Sequence, residues 1–163
     1  MRLYLAGPLF TPYERSFIGE YGSRLRQEGF DCFIPHEHWL DGAELTPQAV
    51  FQKDGAGLME ADAVLALLDG PMVDDGTACE IGLFYGLKQR DPRKKGVIGL
   101  LTDSRQGAPA DGSAGSSTNL EGKGLNFYVL GCIEATGGTV VQTVDDALPW
   151  LRRWQAELSG EHS

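Results

Sequence analysis

The chain has 163 residues, 42% hydrophobic and 23% charged, the length and balance of one soluble domain able to bury its own core. Its net charge of -9 excludes a nucleic-acid partner, since phosphate binding needs a basic surface, and disfavours an anionic membrane surface. No apolar run approaches the roughly 20 residues of a membrane span. The amino-terminal residues enter a strand pattern with no signal peptide, and Cys32, Cys79 and Cys132, odd in number and far apart beside apolar segments, read as buried reduced thiols of a cytoplasmic protein.

Arg2 to Gly7 is a short apolar strand closed by Gly7-Pro8, where glycine permits close approach and proline ends the ladder. Thr11-Pro12 opens a helix with Phe17, Ile18, Tyr21 and Leu25 on one face, ended by Gly29. Phe30 to Pro35 is a second strand, and His36 to Thr46 a polar loop. Thr46-Pro47 starts a helix whose inner face is expected at Val50, Phe51, Leu58 and Met59, weakened by Gly55 and Gly57. Ala63 to Leu68 is the third strand, and a helix follows from about Thr77 to Gln89, broken by Asp91-Pro92.

Gly96 to Leu101 is the fourth strand. Residues Thr102 to Lys123, rich in Gly, Ser, Ala and Asp without apolar period, read as a mobile loop or lid. Leu125 to Glu134 is a helix ended by Gly137-Gly138; Thr139 to Thr143 is a fifth strand. Val144 to Leu158 is a last helix with Leu148, Leu151 and Trp154 inward, before a frayed tail, 159–163. Such alternation implies parallel pairing by right-handed crossovers: one α/β, doubly wound, flavodoxin-like three-layer domain over residues 1–158, with a five-stranded parallel sheet in the order 2-1-3-4-5. Its switch point lies between the first and third strands, so Gly7 and Asp69 would flank the cleft.

The stretch from Asp69 to Gly82 leaves the third strand at that cleft and carries Asp69, Asp74, Asp75 and Glu80. Two carboxylates beside one cleft suit work on a glycosidic bond, one as nucleophile or base and one as acid. Glu80 has two readings. Thr77-Ala78-Cys79-Glu80 fits a T-x-x-E capping box. Alternatively, helix N-terminal amides keep Glu80 ionised at neutral pH, as a nucleophile attacking a sugar carbon must be.

Asp74 and Asp75 are either turn and N-cap residues or ligands for sugar hydroxyls. Asp54 in mid-helix is ordinarily solvent-facing, Tyr4 core, and Asn126 a cap or surface residue. His36-Glu37-His38 lacks a third ligand at metal-site spacing, and a calcium loop fails because Pro71 and Val73 stand where ligands belong. There is no glycine-rich phosphate loop and no nucleophile elbow.

Tyr4-Leu5-Ala6-Gly7-Pro8-Leu9-Phe10, Ala61-Asp62-Ala63-Val64, Asp74-Asp75-Gly76-Thr77-Ala78-Cys79-Glu80-Ile81-Gly82 and Gly124-Leu125-Asn126 together resemble the nucleoside 2-deoxyribosyltransferase family, over nearly the whole chain. The resemblance implies transfer of the 2-deoxyribosyl group of a 2'-deoxynucleoside to another free nucleobase, through a covalent glycosyl-Glu80 intermediate with retention and without metal or cofactor. Glu80 matches the family's nucleophile and Tyr4 the tyrosine that orients it. Asp54, eight residues before Asp62, matches the group that protonates the leaving base. Asp74 matches the acid that holds the sugar 5'-hydroxyl. Asn126 matches an asparagine inserted by a neighbouring subunit, so a homo-oligomer (dimer or hexamer) is implied, with Tyr128 adding an apolar lid. Gly7 to Phe10 would wall the base pocket. The alternative is an N-glycosidase that hydrolyses nucleosides or their 5'-monophosphates; a nucleoside-binding module without chemistry would have no need of a nucleophile.

Overall fold

The computed structural model describes residues 1–38, 45–103 and 124–160. Five parallel strands form one sheet: β1 (Arg2–Ala6), β2 (Asp31–Phe33), β3 (Ala63–Leu67), β4 (Val97–Leu100) and β5 (Thr139–Val141), in the order β2-β1-β3-β4-β5. They alternate with α1 (Pro12–Gln27), α2 (Pro47–Glu60), α3 (Asp75–Lys88), α4 (Phe127–Ala135) and α5 (Val144–Ser159). This is the expected doubly wound order, with its switch point between β1 and β3. The register pairs Tyr4 with Val64 and Ala6 with Ala66, so the carboxyl ends of the two strands lie side by side.

Side-chain alternation along the strands divides the core into two layers. Leu3 and Leu5 join Ile18 and Leu25 of α1 and Ala147, Leu148, Leu151 and Trp154 of α5. Tyr4 and Ala6 face the other way, among Phe33, Leu58, Val64, Leu68, Ile81, Phe84 and Ile133, under α2, α3 and α4. Tyr4 therefore lies, fully buried, in the layer that carries α3.

Local signals explain most boundaries. Thr11 caps α1 in a reciprocal box with Glu14, and Gly29 turns the chain at φ 88°. Thr46, Asp74, Asn126 and Thr143 cap the other helices with their side-chain oxygens. Gly7 is small because a Cβ there would lie 3.1 Å from Ile18 Cδ1 and Leu67 Cβ. Its close approach serves the packing of the β1 exit. Gly57 has the same logic: a Cβ would stand 2.5 Å from the Phe33 ring, so glycine lets α2 close onto β2.

Several expectations are corrected. On α2 only Leu58 of the four expected inner residues is buried; Val50, Phe51 and Met59 are exposed, because the helix meets the sheet through Gly57 and Leu58. Cys32 is buried and Cys132 half-buried, but Cys79 is exposed on the outer side of α3. The loop after β2 begins with a single 3-10 turn, Pro35–Glu37. Its residues 39–44, the expected lid residues 104–123 and tail residues 161–163 lie outside the described residues. Among the described residues no helix is long and apolar enough to cross a membrane.

Candidate active site

β1 supplies the first member of the site. A tyrosine in a wholly buried strand needs a partner for its hydroxyl. Tyr4 donates to Glu80 Oε1 at 2.5 Å, a short charge-assisted bond spanning 76 residues of chain. Glu80 sits in the second turn of α3, on the side that faces the sheet. Its role is not that of a cap. Asp74 caps α3 instead, accepting from the Thr77 amide at 2.9 Å and the Thr77 hydroxyl at 3.0 Å. The T-x-x-E reading thus fails because Thr77 is already inside the helix, buried, with its own amide satisfied.

The charge state of Glu80 also departs from expectation. Burial pushes its carboxyl up to about 7; the Tyr4 hydrogen bond works against that rise, and the nearby negative charges of Asp54 and Asp74 add to it. Helix amides do not hold it fully ionised at neutral pH, because desolvation outweighs the Tyr4 hydrogen bond. Tyr4 is driven the same way, well above the usual phenol range, chiefly by burial and then by the charge of Glu80. It therefore remains a donor at any ordinary pH.

α2 brings Asp54 to this pair. Its carboxylate bears on both Tyr4 and Glu80 electrostatically. Lys53 Nζ lies 3.1 Å from Asp54 Oδ1 and donates to the Pro35 carbonyl at 2.7 Å. Phe33 stacks on Tyr4 with ring centroids 5.4 Å apart, and His38 stacks on Phe33 at 4.3 Å. Glu37 pairs with Arg26 and His38 stacks on Phe33, while burial lowers the proton affinity of His36 and leaves its Nδ1 without a hydrogen-bond partner among the described residues. Among the described residues no group of three or more His, Cys, Asp or Glu side chains is placed to hold a metal ion.

Asp69, first in the acidic stretch, is a structural staple. It accepts from the Thr102 amide at 2.6 Å, the Thr102 hydroxyl and the Asp103 amide at 3.2 Å; Asp103 in return accepts from the Gly70 amide at 3.0 Å. The exits of β3 and β4 are thereby fastened together. Asp75 is exposed and bonds only the adjoining Gly76 amide among the contacts described.

A cavity of about 460 Å³ opens at the same end of the sheet, lined by Pro8, Tyr13, Phe17, Leu67, Asp69 and Gly70. It lies on the α1 side, and Glu80 does not line it. Of the expected base-pocket wall, Pro8 borders this cavity, Gly7 packs against Ile18 and Leu67, and Phe10 is 78% exposed. Asn126 caps α4, accepting from the amides of Tyr128 at 2.9 Å and Val129 at 3.3 Å. Phe127 and Tyr128 beside it are exposed. The chain thus gathers Tyr4, Asp54, Asp74 and Glu80, and leaves Asn126, Tyr128 and Phe10 on the surface. Lys53 was not legible as part of this group: consecutive helix residues do not ordinarily face each other.

Fold and site define a flavodoxin-like α/β domain with a buried tyrosine bonded to a half-buried glutamate beside its switch point. The chain belongs to the nucleoside 2-deoxyribosyltransferase family, whose profile matches residues 3–143. It is similar to a conserved protein of Enterococcus faecalis, 28% identical, with a TM-score of 0.75 over 94% of this chain and 98% of that one. A 2-deoxyribosyltransferase of Bacillus psychrosaccharolyticus is 22% identical, with a TM-score of 0.65 over 90% of each chain. The CMP N-glycosidase of Clostridium botulinum is 18% identical, with a TM-score of 0.57 over 94% of this chain and 99% of that one; these two likenesses concern the fold. No curated protein matches.

Proposed function

We propose that this protein exchanges bases on 2'-deoxynucleosides: Glu80 attacks C1' as the base leaves, a deoxyribosyl-Glu80 ester forms, and a second free base displaces it with net retention. The observation that carries this reading is the 2.5 Å bond from Tyr4 to Glu80. It fixes one carboxylate oxygen and leaves the other to meet carbon. Departure of the base builds positive charge on the sugar, which an anion in a poorly solvated site stabilises strongly. Splitting the displacement in two is the gain from a covalent nucleophile.

In this reading Asp54 protonates the leaving base and Asp74 receives the sugar 5'-hydroxyl. Asp74 spends Oδ2 on capping, and a carboxylate has a second oxygen to offer. Asn126 and Tyr128, exposed at the start of α4, are where a second copy of the chain would meet this site, and Gly7 to Phe10 border the base. The family acts on nucleosides and nucleobases.

The rival reading is hydrolysis, favoured by the likeness to a CMP N-glycosidase. Transfer and hydrolysis differ only in what reaches the ester. A 5'-phosphate, however, would meet the Asp74 carboxylate, a repulsion on the order of several kcal/mol in a poorly solvated pocket. Incubating a deoxynucleoside with a different free base and separating the products decides between them. The swapped nucleoside is expected; free deoxyribose alone would establish a hydrolase. Trapping with a slow fluorinated deoxynucleoside should place the added mass on the peptide containing Glu80, and an adduct elsewhere would end the proposal.

A further inference from the structure

We propose that Lys53 is a positioning residue for Asp54: it aims the Asp54 carboxyl at the departing base and stabilises the carboxylate left when the proton is gone. This deepens, and rests on, the reading of the site given above.

Lys53 and Asp54 are consecutive on α2, where side chains diverge by about 100°. Their charged ends nevertheless meet at 3.1 Å. The same ammonium donates to the Pro35 carbonyl at 2.7 Å, just past β2. The lysine ammonium is therefore anchored to the turn that follows β2. Both side chains are largely withdrawn from water, 14% and 17% exposed, so the pair is not a screened surface contact. α2 itself is registered against the site, since Gly57 seats it on Phe33 and Phe33 stacks on Tyr4. The charges that meet around Glu80 are thus Asp54 with Lys53 from α2, Asp74 from α3, and the Tyr4 hydroxyl from β1.

The step balances as follows. The bond from C1' to the base nitrogen breaks with its electron pair going to the base. Asp54, which takes up a proton from solvent as the substrate binds, gives that proton to a base nitrogen and returns to the carboxylate. A Glu80 oxygen bonds to C1'. The new carboxylate faces an ammonium already in place, 3.1 Å from its Oδ1. With an incoming base the same carboxylate takes the proton back.

A leaving group that departs as a stable anion needs no proton, and this separates positioning from mere support. Initial rates are measured on a deoxynucleoside and on para-nitrophenyl 2-deoxyriboside for wild type, Lys53→Met, Lys53→Arg, Asp54→Asn and the Lys53→Met/Asp54→Asn double variant. Lys53→Met should lower kcat on the deoxynucleoside about tenfold or more with a smaller change in KM, yet cost less than about threefold on the aryl substrate. Lys53→Arg should recover most of the loss, and Lys53→Met should cost nothing further once Asp54 is Asn. Equal losses on both substrates, unchanged activity on the deoxynucleoside, or additive losses in the double variant would each overturn the proposal. If Lys53→Met fails to fold, Lys53→Gln carries the same comparison. If wild type releases neither base nor nitrophenolate in a Glu80-dependent way, the underlying reading falls, and the proposal with it.

Discussion

Glu80 takes its hydrogen bond from Tyr4 across the interior of the domain, and Asp74, not Thr77, closes the end of α3. A carboxylate released from capping and tied to a buried phenol is available for chemistry. Glu80→Ala should therefore remove base exchange by about 10⁴-fold or more while the fold persists, measured as initial rates beside a circular dichroism melt. Retained activity with a small loss of stability would return Glu80 to a purely structural role.

In the proposed reading the acid limb of the rate profile is set by the same residue. With its carboxyl pushed up to about 7, Glu80 loses its nucleophilic form as pH falls through that value. In the free enzyme kcat/KM should decline about tenfold per unit on the acid side of this midpoint. Stability runs in the opposite sense. The raised value means that the folded chain holds a proton the unfolded chain, at 4.5, gives up. The stabilisation is complete below the unfolded value and is lost as pH rises through 7. Glu80→Gln, which still accepts from Tyr4, should be more stable than wild type at about pH 8 by on the order of 2–3 kcal/mol and should lose that advantage in acid. Thermal melts across pH test this.

Tyr4→Phe deletes the donor and leaves the ring stacked on Phe33. Glu80 then loses the one interaction that opposes its rise in proton affinity. The acid limb should move to higher pH, and kcat should drop about 10- to 100-fold, the worth of a hydrogen bond to a charged group. An unmoved limb would mean that the bond does not govern the nucleophile.

Much of the architecture was legible because local chemistry and apolar period agreed. Thr11-Pro12 announced α1, the apolar runs announced the strands, and their alternation with helices implied the parallel order. What was not legible depended on competition in space. That Glu80 does not cap α3 turned on Asp74 reaching the Thr77 amide first. The apolar residues of α2 gave a spacing but not a direction, because the sheet is met through Gly57, which carries no side chain. Lys53 follows no spacing that would pair it with its neighbour Asp54; the contact forms in space, with the Pro35 carbonyl holding the same ammonium.

Asp74 has two duties in the proposed reading, and variants can divide them. Asp74→Ala should cost about 1 kcal/mol as a lost cap, and Asp74→Asn much less. Wild type should prefer free deoxynucleosides over their 5'-monophosphates, and Asp74→Asn should narrow that preference by removing a like charge. Faster turnover of monophosphates by wild type would overturn the assignment of Asp74.

Asn126→Asp keeps an acceptor for the α4 cap but removes the amide donor. If this residue completes a neighbour's site, mixing inactive Asn126→Asp with inactive Glu80→Ala should restore partial activity as hybrid oligomers assemble. No recovery after co-refolding or prolonged subunit exchange would place Asn126 outside the site.

The Asp69 staple has a consequence for protein engineering. Because Asp69 grips Thr102 and Asp103, and Asp103 in turn grips Gly70, a redesign at any of these positions would loosen the exits of β3 and β4 together, so they are best left untouched.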